Sequence, residues 1–230
     1  MNTAQKIVKY FAIGFAIFLI VSIFSAVIYG ILGIATTIKL IDDHSSAEVE
    51  CKDVEERCLQ INLGFSSLTI KKGENLSVDT KNDKVNIEEN GSRLIITEKG
   101  RHLFDNYNDR EVTILVPEDM EFEKVAISGG AGNIYVEKLY AKTLEMALGV
   151  GETRIDALET DNAKISTGIG ELQINLMSSA DKYEVKVSKG IGNIRFNGSS
   201  VSKNSTLGSG SKKLDISGGI GAINITTFGN

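Results

Sequence analysis

Five Gly-x-Gly triplets are the residues of this chain that most suggest chemistry. They are Gly130-Ala131-Gly132, Gly149-Val150-Gly151, Gly168-Ile169-Gly170, Gly190-Ile191-Gly192 and Gly219-Ile220-Gly221. Such glycines cradle a phosphate when they open a helix, because the helix N-terminus presents free N–H groups to the anion. Here each triplet leads into alternating apolar and polar residues: Ile134/Val136, Thr153/Ile155, Leu172/Ile174, Ile194/Phe196 and Ile223/Ile225. A period of two belongs to a strand, so no helix N-terminus follows and a nucleotide cofactor is not expected. Calcium-binding repeats need an acid just after the second glycine. The positions available for one are Ile134, Thr153, Leu172, Ile194 and Ile223, so a calcium site is not expected either.

Other chemistry is sparse. The only histidines are His44 and His102, and no Gly-x-Ser-x-Gly elbow occurs. Carboxylate pairs such as Glu88/Glu89 and Glu118/Asp119 sit in polar turns, with nothing nearby to form a hydrolase cleft. Two cysteines and two histidines are too few for a finger-type zinc site. The expectation is a non-enzymatic protein without cofactor, metal or catalytic residues. The enzymatic alternative is a polysaccharide-active β-helix. It would use the outward stripe Tyr135, Glu137, Arg154, Asp156, Gln173, Asn175, Arg195 and Asn197, but that stripe holds no concentrated acid pair.

Cys51 and Cys58 are the only cysteines. Outside a membrane they could form a disulfide. A helix between them would hold their Cα atoms about 10 Å apart, too far to bridge. A bridge therefore needs a bend, which no Gly or Pro marks, so a bridge and two free thiols both stay open. One loop, residues 99–110, offers Arg101, His102, Phe104, Tyr107 and Arg110 as candidate partner contacts. Arg and aromatic residues on a loop suit an interface. The plainer role is that Leu103 and Phe104 cover the end of the stacked strands.

The elements that must position these residues are legible. No charged residue occurs from Tyr10 to Ile38, longer than the roughly 20 residues that span a bilayer. Lys6 and Lys9 precede the run, and Asp42 and Asp43 follow it, which places the N-terminus in the cytoplasm and the remainder outside. A cleaved signal would have a shorter apolar core and a small-residue site. The expected organisation is a cytoplasmic stretch 1–9, a single transmembrane helix 10–38, a juxtamembrane spacer 39–57 and a β-strand-repeat domain 58–230. The chain's net charge is −5 with only Lys6 and Lys9 charged before Lys39, so the remainder carries −7. That disfavours nucleic acid as a partner.

First glycines of successive triplets are 19, 19, 22 and 29 residues apart. Equal offsets of strand and glycine predict equivalent strands stacked in register, as in a β-solenoid, with glycine at each corner for positive φ and close approach. Gly64-Phe65-Ser66 reads as a worn copy of the corner, with Ser66 at the second glycine position. The Ser- and Gly-rich segment 197–213 reads as a loop bulging from one coil. A β-sandwich is the alternative.

The run Val112-Thr113-Ile114-Leu115-Val116-Pro117, then Ser128-Gly129-Gly130-Ala131-Gly132-Asn133-Ile134, then the repeated triplets, resembles the bacterial putative-adhesin family, whose β-strand-repeat module is also called the toast-rack domain. The resemblance covers residues 58–230. It implies a right-handed β-solenoid on a bacterial cell envelope, with no catalytic residues to transfer. The function expected is a membrane-anchored scaffold or adhesive surface. The alternative is a regulatory or sensory component of an envelope-stress response. Expected partners are the lipid bilayer, another membrane or envelope protein, and a further copy of the chain.

Overall fold

The computed structural model describes residues 57–99 and 110–228. The expected span 10–38, its flank 1–9, Cys51 with nearly all of the 39–57 spacer, and the loop residues Arg101, His102, Phe104 and Tyr107 lie outside the described residues. Among the described residues no helix is long and apolar enough to cross a membrane.

In chain order the strands are β1 (Cys58–Leu63), β2 (Ser67–Lys72), β3 (Ser77–Thr80), β4 (Val85–Asn90), β5 (Arg93–Glu98), β6 (Glu111–Val116), β7 (Glu121–Ala131) and β8 (Ile134–Val136). They continue as β9 (Leu139–Val150), β10 (Thr153–Leu176), β11 (Tyr183–Ile191), β12 (Ile194–Phe196), β13 (Ser199–Val201), β14 (Ser205–Leu207) and β15 (Lys212–Thr227). Most pair in parallel with the strand one repeat away. Thr153 lies beside Ile134, Ala163 beside Leu144, and Leu144 beside Val125. The sheet is therefore a stack of rungs, each made of two strand segments joined at a corner. An antiparallel sandwich would not give these parallel repeat offsets.

Alternation decides what the stack buries. One inward column runs Ile61, Ile127, Met146, Ile165, Ile216 and Val187, and across the core another runs Leu68, Ile134, the buried Thr153, Leu172, Ile223 and Ile194. Each inward side chain lies on its equivalent in the next rung, apolar on apolar except at Thr153, so one continuous core follows from a short repeat. Ile165 is fully buried between Met146 and Ile216. Ile165→Ala leaves a cavity in that column and is expected to cost about 3 kcal/mol, read as a lowered urea midpoint at unchanged slope.

Both ends of the stack are closed by antiparallel strands. At one end β3 pairs with β6 and β4 with β5; at the other β14 pairs with β11 and β13 with β12. Closing strands keep the long parallel rungs from presenting an open edge. The 197–213 segment is thus no simple bulging loop, because it supplies one of these covers. Asn197 and Gly198 both have positive φ, 48° and 76°, as a two-residue type I′ hairpin turn requires. That turn folds β13 straight back onto β12.

The rungs also do not stack in chain order throughout. β15 pairs with β10 on one side and with β11 and β12 on the other. The last rung in the chain is therefore inserted before the one that precedes it in sequence. With β13 and β14 already covering the outer edge of β11 and β12, the open edge between β10 and β11 is the one left for β15.

Candidate functional site

The corners line up as one column of backbone. In stack order it runs Gly64/Ser66, Gly130/Gly132, Gly149/Gly151, Gly168/Gly170, Gly219/Gly221 and Gly190/Gly192, and every glycine but Gly64 faces the carbonyl of its equivalent in the neighbouring rung. The two glycines of a triplet are required for different reasons. A Cβ at Gly168 would overlap the Gly149 carbonyl, although the backbone there is ordinary. Gly170 adds a φ of +146°, and its Cβ would meet the Gly151 carbonyl oxygen well under 3.0 Å away. The corner glycines are thus required by the close approach of neighbouring rungs.

The column ends where the worn copy predicts. The Cβ direction at these corners points to the previous rung, and for Ser66 that place is taken by side chains. Glu98 Oε2 accepts hydrogen bonds from the backbone N–H groups of Gly64 at 2.7 Å, Phe65 at 2.9 Å and Ser66 at 3.2 Å. Its Oε1 accepts from Ser66 Oγ and from Asn82 Nδ2, both at 2.9 Å. Burial opposes ionisation of Glu98, but the bonds from Phe65, Ser66, Gly64 and Asn82 outweigh it and hold the carboxyl below its ordinary range. Glu98 thus satisfies the N–H groups of Gly64, Phe65 and Ser66 at this end of the column.

At the opposite end Lys203 Nζ donates to the Gly190 carbonyl. Lys189 turns inward beside Gly218 and Gly192 and is only 8% exposed. Burial, with the charge of Lys203 adding to it, pushes the Lys189 ammonium pKa down.

The middle residue of each triplet is the one the sequence reading passed over. In the five triplets it lies between two side-chain-free positions and projects outward, and Phe65 holds the same place before Ser66 in the worn corner. Phe65, Ala131, Val150, Ile169, Ile220 and Ile191 therefore form a one-residue-wide keel along the stack, with Ala131 beside Val150, Val150 beside Ile169, Ile169 beside Ile220 and Ile220 beside Ile191. Val150 is 51% exposed, Ile220 44% and Ile191 65%. The signal was legible: five triplets out of five carry an aliphatic residue at a position that turns to solvent.

The polar stripe stands beside the corner on the β8, β10, β12 and β15 face. Tyr135 Oη donates to Asp156 at 2.9 Å, Arg154 Nε donates to the same carboxylate at 2.7 Å, and Asn224 donates to Glu171 at 2.8 Å. The Tyr135 and Asn224 bonds join neighbouring rungs, the Arg154 bond lies within one strand, and none of them sets two acids together in a cleft. One hollow, of about 660 Å³, is an open surface depression lined by Arg57, Lys72, Glu74, Glu118 and neighbours. Among the described residues no group of three or more His, Cys, Asp or Glu side chains could hold a metal ion. Of the candidate loop contacts only Arg110 is described, and its guanidinium lies 5.7 Å from the centre of the Phe65 ring. Cys58 opens β1, buried and not a free thiol; Cys51 lies outside the described residues.

Stacked strands, glycine corners and exposed ladders define a repeat-built all-β domain that offers surfaces rather than a pocket. The chain belongs to the Toastrack family: the model of Toastrack DUF4097 matches residues 40–227. This is the family that the Val112–Pro117 strand and the glycine triplets suggested. A crystal structure of a putative cell adhesion protein from Clostridium sporogenes has the same fold, with TM-score 0.52 and 20% identity over 75% of this chain and 93% of that one. A putative adhesin from Bacteroides fragilis matches at 14% identity and TM-score 0.34, over 74% of this chain and 92% of that one. No curated protein matches the chain in sequence. Neither the family description nor these two structures names an enzyme.

Proposed function

We infer that the protein is a single-pass, membrane-anchored component of a bacterial cell envelope, and that its repeat domain is a non-enzymatic scaffold with an adhesion-type binding surface. The observation that carries this reading is the construction of the surface. Rung after rung presents the same outward position, as in Tyr135, Arg154, Gln173, Asn224 and Arg195, and this gives long flat ladders instead of a cleft that could exclude water. Extended repeat surfaces of this kind suit binding over a large area. The uncharged run 10–38 supplies the anchor, with residues 1–9 in the cytoplasm and the repeat domain outside. The coil is right-handed on the general preference of parallel β connections.

In-cell crosslinking of the full chain tests the reading, repeated with residues 10–38 replaced by an unrelated spanning helix. Partners captured through the repeat domain are expected to persist after the swap. Partners that vanish with the native helix would overturn the scaffold reading in favour of a regulatory role exerted within the membrane. Recovery of the native chain outside the membrane fraction would overturn the anchoring.

A further inference from the structure

Among the described residues the keel is a continuous apolar row that the rungs leave part-exposed. Neighbouring rungs lie about 4.8 Å apart, so its six residues run about 24 Å. Contact between adjacent members of the ladder hides their flanks and contributes to stacking. Their tips stay in water: Val150, Ile220 and Ile191 keep 44% to 65% of their surface exposed. A row of aliphatic tips on an otherwise polar surface marks an interaction site.

We propose that the keel is a self-association surface, and that a second copy of this chain packs its own keel alongside, with the two stacks parallel. Three observations select that occupant. First, both stack ends are covered by antiparallel strands, so copies meet sideways and not end to end. Second, the flanks of the keel differ. On the β10 side, one residue past the second glycine, stand Asn133, Glu152, Glu171, Ala222 and Asn193, of which Glu152 and Glu171 are exposed acids. On the other side, two residues before the first glycine, stand Ser128, Ala147, Ser166, Ser217 and Ser188, all uncharged. Parallel keels related by a two-fold axis along the stack meet through the uncharged flanks, with both acidic flanks facing water. The antiparallel alternative sets acid against acid. An anionic lipid surface would meet the same acids.

Third, the area fits a tethered pair. Six part-exposed side chains hide on the order of 400 Å² per copy, about half of the roughly 800 Å² per partner that a stable interface buries. Such a contact is weak between free chains. It forms readily between chains held in one membrane, where the effective concentration is high; this part rests on the anchoring proposed above.

Single cysteines on the full chain test the arrangement, with a short bismaleimide as the probe. Ile191→Cys and Val150→Cys are expected to cross-link to the same residue of a second copy in membranes, at least tenfold more than Gln173→Cys on the polar stripe. Adding Ile220→Ser to Val150→Cys is expected to lower its yield at least fivefold, with the β-rich circular dichroism unchanged. The same cross-links are expected from purified chain in detergent as its concentration rises, an arm that does not depend on anchoring. A chain absent from the membrane fraction but cross-linking in this arm would overturn the anchoring alone. Equal yields for Gln173→Cys and the keel cysteines, or no cross-link in either arm, would overturn the keel pairing. So would keel cysteines shielded from aqueous maleimide only when phosphatidylglycerol vesicles are added, since that result identifies lipid as the occupant.

Discussion

Gly170→Ala is expected to remove about 4 kcal/mol of stability, a large share of what holds a domain folded. Two costs combine at this one methyl group. The backbone at Gly170 has φ +146°, outside the range an L side chain adopts without strain, and such a conformation costs on the order of 1–3 kcal/mol. The added Cβ also points at the Gly151 carbonyl of the next rung, with backbone and no flexible side chain in its way. Relief requires the two rungs to separate, which breaks the ladder between Ile169 and Val150 and adds roughly 1–3 kcal/mol. Against a total of about 5–15 kcal/mol for a typical domain, the loss is severe. Gly64→Ala is the matched control. It occupies the first-glycine position of a corner in the same column, but its Cβ would lie 3.5 Å from Glu98 Oε2, an ordinary contact. It is expected to shift stability by less than about 1 kcal/mol. Urea titration of both variants reads the difference, and equal midpoints would show that the corners do not stack as closely as described.

The second large effect belongs to Glu98. Three consecutive backbone N–H groups, a hydroxyl and an amide converge on its carboxylate. Hydrogen bonds to a charged group are worth more than neutral ones, and leaving buried donors unmet adds to the loss. Glu98→Gln replaces one accepting oxygen with a donor that faces other donors, and about 2 kcal/mol is expected to go. The pH dependence follows from the direction of the shift. The folded carboxyl titrates below its unfolded value of about 4.3. Its contribution is therefore complete above that value and is lost as pH falls through the lower, folded one. The gap in stability between native chain and Glu98→Gln is expected to hold steady from neutral pH to about 5 and to close in stronger acid. A gap that stayed constant down to pH 3 would mean that the charge of Glu98 is not what closes the column.

Much of this architecture can be read from the residues, and particular positions show why. The triplets at Gly130, Gly149 and Gly168 repeat every 19 residues, and the rungs they join stack at that same offset. The worn corner at Gly64 and Ser66 takes its place because the same apolar alternation leads into and out of it. The keel was equally visible in the middle residues of the triplets. Attention to the glycines hid it, since their turn chemistry accounts for the motif without asking where the intervening side chain goes. The hairpin at Asn197-Gly198 was legible too, as an Asn-Gly pair between short β-prone runs.

What the residues determine alone is therefore local: strand alternation, glycine corners, the membership of each rung, and the uncharged run before the domain. Each depends on interactions within one repeat or on the period between repeats. The order of the last two rungs depends on something else. The corners at Gly190 and Gly219 are near copies, Gly-Ile-Gly in both, and either could lie against Gly168. The choice falls to β15 because the Asn197-Gly198 turn folds β13 back over β12 and closes that edge. Glu98 tells the same story at the opposite end. Nothing near it in sequence marks it as the partner of Gly64, 34 residues away. Only the stack brings a carboxylate to the N–H groups of Gly64, Phe65 and Ser66, and only there does its charge become part of the fold.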